Sequence, residues 1–216
     1  MGAGGQVDGR EWCDPGHAAR YRERTATMPW WDESERALAE HVPVGARRVL
    51  DLGTGDGRLI ALVRRCAPGA RAVGLDLSPP MLAAAGDRLA AEGGVELRRH
   101  DLARPLPALG RFDLVVSAYA IHHLSDRRKR ALFAEVLALL EPGGAFLNLD
   151  HVASPTPALH RAFLAALGDR PEDEDPSDRT APAWDQVRWL ADAGFADADC
   201  HWKWRELALM GGRRPA

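Results

Sequence analysis

Cysteine is scarce in this 216-residue chain, basic charge is not in excess, and long apolar runs are missing. Each shortage excludes a class of function. The three cysteines, Cys13, Cys66 and Cys200, are odd in number, far apart and form no Cys-x-x-Cys pair. That excludes a disulfide framework or a zinc site recognisable from cysteine spacing, and it fits a reducing cytoplasm. Lys and Arg number 28 against 31 Asp and Glu, a formal net charge of −3. No overall positive field draws in nucleic acid or anionic lipid. The basic clusters Arg20–Arg24 and Arg127–Arg130 are interrupted or flanked by acids and read as solvated helical faces. No run approaches the roughly 20 apolar residues that span a bilayer, and the polar start Met1-Gly-Ala-Gly-Gly-Gln has no signal-peptide core. The expectation is a soluble, cytoplasmic protein with no nucleic-acid or membrane partner and no metal.

What is present is a chain that is 46% hydrophobic and 27% charged, enough for one sizeable core. Residues 1–11 are Gly-rich and expected to be flexible. Residues 12–45 read as helical pieces broken at Pro29. From Arg47 strands and helices alternate: strands over 47–51, 72–76, 95–99, 112–117 and 145–150, helices over 58–66, 79–91 and 126–140. Ser78-Pro79-Pro80 caps and starts a helix, and Pro142-Gly143-Gly144 ends one. Such alternation predicts an α/β fold, a parallel sheet covered by helices on both faces. Beyond Asp150 come two helices, about 156–168 and 183–193, around an acidic loop, 169–182. The alternation of Ala198, Cys200, Trp202 and Trp204 with polar residues then predicts a closing pair of strands.

Chemistry concentrates where these strands end. Val49–Arg58 runs from a strand into glycines at 53, 55 and 57. A dinucleotide fingerprint needs its third glycine where Arg58 stands, so a nicotinamide dinucleotide is disfavoured. Gly53 and Gly55, lacking Cβ, let backbone approach a ligand. The second strand ends in Asp76, 21 residues after Gly55, where a carboxylate can accept from a ribose diol. Asp101-Leu102 follows the third strand, an acid to accept from an adenine amino group beside an apolar contact. Ser117-Ala118-Tyr119 closes the fourth with small residues. Singly, Asp51, Asp76 or Asp101 also reads as a helix cap or turn residue. Together, at four successive strand ends, they read as one nucleotide-type site.

Over about residues 40–150 the chain resembles class I S-adenosylmethionine (SAM)-dependent methyltransferases. The resemblance rests on Val49–Gly57, Gly74-Leu-Asp-Leu-Ser, Asp101-Leu102, Phe112-Asp-Leu-Val-Val-Ser and Leu140-Glu-Pro-Gly-Gly. Ile121-His-His-Leu and the tail Trp202-Lys-Trp-Arg-Glu-Leu-Ala resemble its bacterial small-molecule branch. It implies a Rossmann-like seven-stranded sheet of order 3-2-1-4-5-7-6, strand 7 antiparallel, under an N-terminal helical cap. In one domain, 12–216, residues 12–45 would be the cap, 46–150 the SAM-binding core and 151–216 the substrate side. By the same resemblance Asp51, Gly53, Thr54, Gly55 and Gly57 line the methionine part of SAM. Asp76 and Leu77 hold the ribose, Met81, Asp101 and Leu102 meet the adenine, and Ser117 and Ala118 complete the wall. Tyr21 and Arg24 would reach the methionine carboxylate from the cap, where the arginine fork suits two oxygens.

Methyl transfer from a sulfonium releases a neutral thioether and needs no acid. It rests on positioning, with a base where the acceptor loses a proton. His122 and His123 follow the fourth strand and Asp150-His151 the fifth; all four are candidate bases, with His123, Asp150 and His151 leading as bases or acceptor contacts. Histidine pairs on a turn also serve as packed, hydrogen-bonded structure. The acidic loop reads as a solvated linker rather than a lid. Trp30, Trp31, Trp184 and Trp202 read as core or homodimer packing rather than as stacking platforms. The expected activity is methylation of an O, N or C atom of a small molecule, with S-adenosylhomocysteine as product. The alternatives are a synthase of SAM derivatives, similar to carboxy-SAM synthases, and a non-catalytic SAM-binding protein.

Overall fold

The computed structural model describes residues 10–26, 31–170, 172 and 174–216; the side chains at 10, 11, 21, 22, 24–26 and 31 are outside the description. The expected flexible segment, apart from the backbone of Arg10 and Glu11, therefore lies outside it, as do Trp30 and the side chains of Tyr21, Arg24 and Trp31.

Two helices, α1 (Pro15–Ala26) and α2 (Trp31–His41), precede the sheet. The alternating core follows as β1 (Arg48–Leu52), α3 (Arg58–Cys66), β2 (Arg71–Asp76), α4 (Pro79–Leu89), β3 (Val95–Arg99), β4 (Phe112–Ala118), α5 (Asp126–Leu139) and β5 (Leu140–His151). The chain continues through α6 (Pro157–Leu167), α7 (Ala183–Ala193), β6 (Ala196–Trp204) and β7 (Leu207–Arg213). One seven-stranded sheet results, ordered β3-β2-β1-β4-β5-β7-β6, with β7 antiparallel to both neighbours. The fold is the Rossmann-like one that the sequence implied.

Local chemistry explains the boundaries. Ser78 Oγ accepts the Met81 N–H at 3.3 Å with prolines filling the first turn of α4, and Ser125 and Thr156 cap α5 and α6 in the same way. One boundary differs from the expectation. Leu140 already pairs with Phe112, and Ala145 next pairs with Leu114, so Glu141–Gly144 loop out opposite Asp113 inside β5. The buried Leu140 thus belongs to the sheet, not to the helix whose apolar face it seemed to extend.

The strands of a two-sided sheet send alternate residues to opposite faces. In β5, Ala145, Leu147 and Leu149 join α2 and α3 in one core, packed with Leu38, Ile60 and Val63. Phe146 faces the other core, with Leu132, Phe133 and Val136 of α5 and Trp189 and Leu190 of α7. Asn148 and Asp150 continue that second face as buried polar residues. Among the described residues no helix is long and apolar enough to cross a membrane.

Candidate functional site

In a parallel sheet of this order, ligands sit beyond the carboxyl ends of the strands where the order reverses, here between β1 and β4. The glycine turn after β1 is tied to β2 by the N–H groups of Gly53 and Thr54, which donate to the Leu75 carbonyl at 2.8 and 2.9 Å. All three glycines have positive φ, yet each is required for a different reason. A Cβ on Gly53 would stand 2.2 Å from Ala120 Cβ, and one on Gly57 would stand 2.8 Å from Leu89 Cδ1 of α4. Only Gly55, at φ +52°, faces open space, with nothing within 4 Å of such an atom. The missing side chain of Gly53 therefore admits the loop after β4. Arg58 starts α3 and pairs with Glu35 of α2.

Asp51 is fully buried. Its Oδ2 accepts the Thr54 hydroxyl at 2.7 Å, and its Oδ1 has no hydrogen-bond partner among the described residues. Burial, opposed by that hydroxyl and reinforced by the charge of Asp76, raises its carboxyl to about 7. Asp76 accepts the N–H groups of Gly55 and Ser78, each at 2.8 Å, while remaining partly exposed. Burial raises its carboxyl too, against those bonds. Each of its oxygens keeps a further lone pair. The His100 N–H donates to the Asp76 carbonyl, so the end of β3 is fastened to that of β2. Asp101 Oδ1 accepts the Ala103 N–H at 2.8 Å in a local turn, Leu102 and Met81 are buried, and Leu77 is half-buried. Ser117 is buried with its hydroxyl donating to the Leu52 carbonyl at 2.7 Å, so that group locks β4 to β1. Ala118 stays half-buried beside it.

A second constellation stands at the ends of β4 and β5. His122, in the 3-10 turn Ile121–His123, is buried, with Nδ1 2.6 Å from Oδ1 of the fully buried Asp150. Asp178, from the acidic loop, lies 3.3 Å from His122 Nε2, 3.5 Å from His123 Nδ1 and 3.3 Å from His151 Nδ1. His151 Nε2 meets Glu206 at 3.0 Å, and Glu206 also meets His160 at 2.9 Å. Burial alone would lower His122, but Asp150 and Asp178 raise it to about 9. His123, buried beside that cation, falls to about 4. Despite burial, bonds to His151, Ser154 and His160 hold Glu206 down to about 2.

The structure thus gathers the sequence candidates His122, His123, Asp150 and His151 in one cluster, and it brings in Asp178, Glu206 and His160, which were missed as members. Their separation of 27 to 56 residues between partners hides them from any spacing rule. One signal was legible: in Phe146-Leu-Asn-Leu-Asp150 polar residues alternate with leucines, which marks a polar strip on one face of a buried strand. Nor is the acidic loop simply solvated. The Arg179 N–H donates to the His122 carbonyl at 3.0 Å, and the fully buried Lys129 donates to the Arg179 carbonyl, turning Asp178 inward. Of the tryptophans, Trp202 packs with Leu207 and Phe163 and bonds Glu33, whereas Trp184 is 63% exposed.

Comparison with known proteins agrees with this geometry. Residues 49–144 match the family described as a methyltransferase domain. The chain is 39% identical over 133 residues to a demethylmenaquinone methyltransferase of Thermus thermophilus, covering 60% of this chain and 57% of that one. It is 32% identical over 177 residues to the tetracenomycin polyketide synthesis 8-O-methyl transferase TcmO of Streptomyces glaucescens, covering 77% and 49%. An O-methyltransferase family protein from Burkholderia thailandensis shares the fold, with a TM-score of 0.74 at 23% identity over 98% of this chain and 63% of its own. The chain spans a little over half the length of the first curated relatives it matches. The matched segment 49–144, set in a sheet of this order, is thus similar to a methyltransferase domain of the class I SAM-dependent type.

Proposed function

We propose that this chain transfers a methyl group from SAM to an oxygen, nitrogen or carbon atom of a small-molecule acceptor. One observation carries the reading: Asp51, the open Gly55, Asp76 and Asp101 stand at the ends of three adjacent strands on one edge of the sheet. The unpartnered, buried Oδ1 of Asp51 fits a donor-bearing group such as an ammonium. The open side of Gly55 fits a ligand lying against bare backbone. On this reading Asp51, Gly53, Thr54, Gly55 and Gly57 shape the methionine end, and Asp76 with Leu77 takes the ribose. Met81, Asp101 and Leu102 take the adenine, and Ser117 and Ala118 floor the pocket; the expected contacts of Tyr21 and Arg24 lie outside the described residues.

SAM supplies an electrophilic methyl whose leaving thioether is neutral. The protein's task is therefore alignment and exclusion of water. His123, Asp150 and His151 form the polar wall on the acceptor side, beyond β4 and β5. The names of two relatives, a demethylmenaquinone and a polyketide 8-O-methyltransferase, support an oxygenated ring as acceptor. Residues 12–45 serve as cap and 151–216 as the substrate side. The three unpaired cysteines support a reducing, cytoplasmic setting, and the exposed Trp184 supports a homodimer.

The test is a panel of hydroquinones, phenols, amines and thiols incubated with SAM, with S-adenosylhomocysteine measured. Release with one acceptor class is expected. Tight SAM binding without release across the panel would leave a binding protein. A carboxylated SAM retained through purification, detected by mass spectrometry, would make the chain a SAM-derivative synthase instead.

A further inference from the structure

Three imidazole nitrogens converge on one carboxylate. His122 Nε2 and His123 Nδ1 lie 3.3 and 3.5 Å from Asp178 Oδ1, and His151 Nδ1 lies 3.3 Å from Oδ2. The ligand atoms of His122, His123 and Asp178 all fall within 4.8 Å of one another. These separations lie at or just beyond the long end of the roughly 2.7–3.2 Å of an N–H···O hydrogen bond. They match another spacing well. Zinc–nitrogen and zinc–oxygen bonds of about 2.0–2.1 Å in a tetrahedron place neighbouring ligand atoms about 3.3–3.4 Å apart.

The outward nitrogens of the same rings behave differently. His122 Nδ1 is 2.6 Å from Asp150 Oδ1 and His151 Nε2 is 3.0 Å from Glu206 Oε2, both ordinary hydrogen bonds. Asp150 is 0% exposed and Glu206 2%. A histidine that binds a metal through one nitrogen characteristically donates the other N–H to a carboxylate, which fixes the tautomer and aims the lone pair. Two of the three rings here have that support, and both aim their remaining nitrogen at Asp178. Asp178 is itself held in place, because the following residue bonds His122 and the buried Lys129 through its backbone. Ser177 Oγ lies 3.0 Å from His123 Nδ1, and rotation about its Cα–Cβ bond clears that position.

We propose that His122, His123 and Asp178 form a mononuclear site for a divalent transition-metal ion of the zinc type, with His151 holding the second oxygen of the Asp178 carboxylate. Two imidazoles and one carboxylate suit zinc, cobalt or iron(II) and do not suit magnesium or calcium, which take oxygen ligands. The site uses none of the proposed SAM contacts and does not depend on the acceptor's identity. Its occupancy can be measured without any assay of methyl transfer.

The experiment uses the untagged full chain, stripped with a chelator and then titrated with zinc chloride against a chromophoric competitor. A parallel titration with cobalt chloride is followed by visible absorption. One equivalent of zinc and cobalt d–d bands of a nitrogen-rich, low-coordinate site are expected. Asp178→Asn and His123→Ala should each weaken zinc binding by about tenfold or more. His201→Gln, on β6 and outside the cluster, should leave binding unchanged and controls for surface histidines. Circular dichroism confirms that each variant is folded, and the cobalt spectrum of the unaltered protein decides the matter if a variant is not. No bound zinc or cobalt, binding indifferent to both Asp178→Asn and His123→Ala, or loss of binding in His201→Gln would overturn the proposal. In the first case the cluster is a hydrogen-bonded histidine–carboxylate network only.

Discussion

Ala120 occupies the space in which Gly53 would carry a side chain: a methyl there would stand 2.2 Å from Ala120 Cβ. The glycine turn after β1 and the loop after β4 are thereby pressed together, and that loop leads within two residues to His122. The cofactor corner and the histidine cluster share one rigid joint.

Replacing Gly53 tests this joint. Gly53→Ala meets a methyl that cannot rotate away and also sits at φ +73°. Overpacking and left-handed strain together should cost about 2–4 kcal/mol in chemical denaturation. Gly55→Ala, with open space around it, should cost only the strain, about 1–2 kcal/mol. It should nonetheless weaken SAM binding measured calorimetrically, because the added methyl enters the proposed pocket. Equal stability losses in the two variants would contradict the close approach.

Asp51 links stability to pH. Its carboxyl is raised from an ordinary 3.8 to about 7, with burial the main cause. A raised carboxyl binds its proton more tightly when folded. Its cost is absent below pH 4, grows as pH rises towards 7 and is constant above. Asp51→Asn carries no such cost. Without cofactor, the variant should gain on the unaltered protein by a few kcal/mol between pH 5 and pH 8. Thermal unfolding across that range checks it, and a pH-independent difference would refute the assignment.

Asp76 both accepts two backbone N–H groups and is proposed to take the ribose. Asp76→Ala should weaken SAM binding by about 1–3 kcal/mol, as expected for lost hydrogen bonds to a charged group. Unchanged affinity in a folded variant would remove Asp76 from the site.

Lys129 is fully buried on α5 and fastens the Arg179 carbonyl. Lys129→Met keeps the apolar stem and deletes the donor. Limited proteolysis should then cut within 169–182 several-fold faster than in the unaltered chain. The same rate in both would mean that the loop is held by its other contacts.

Most element boundaries follow from local patterns that the chain displays openly, whereas the sheet order came from the family resemblance. Apolar strands alternate with capped helices, and Ser78-Pro79-Pro80 and the glycine turn punctuate them, so the α/β fold is written in short-range chemistry. Leu140 was ambiguous because its helical spacing to Val136 and its pairing with Phe112 both bury it; only the neighbouring strand decides between them. The three turn glycines look alike in sequence and differ in the fold, one facing Ala120, one open, one facing Leu89.

By itself, then, the sequence determined the layered fold and the resemblance to class I methyltransferases, since each depends on residues near one another in the chain. Only the tertiary structure decided that Asp178 turns inward, that Asp150 supports His122, and that Glu206 joins His151 to His160. Those groups are drawn from distant segments, and burial changes their charge preferences. No local pattern encodes the company that a side chain keeps once it has left water.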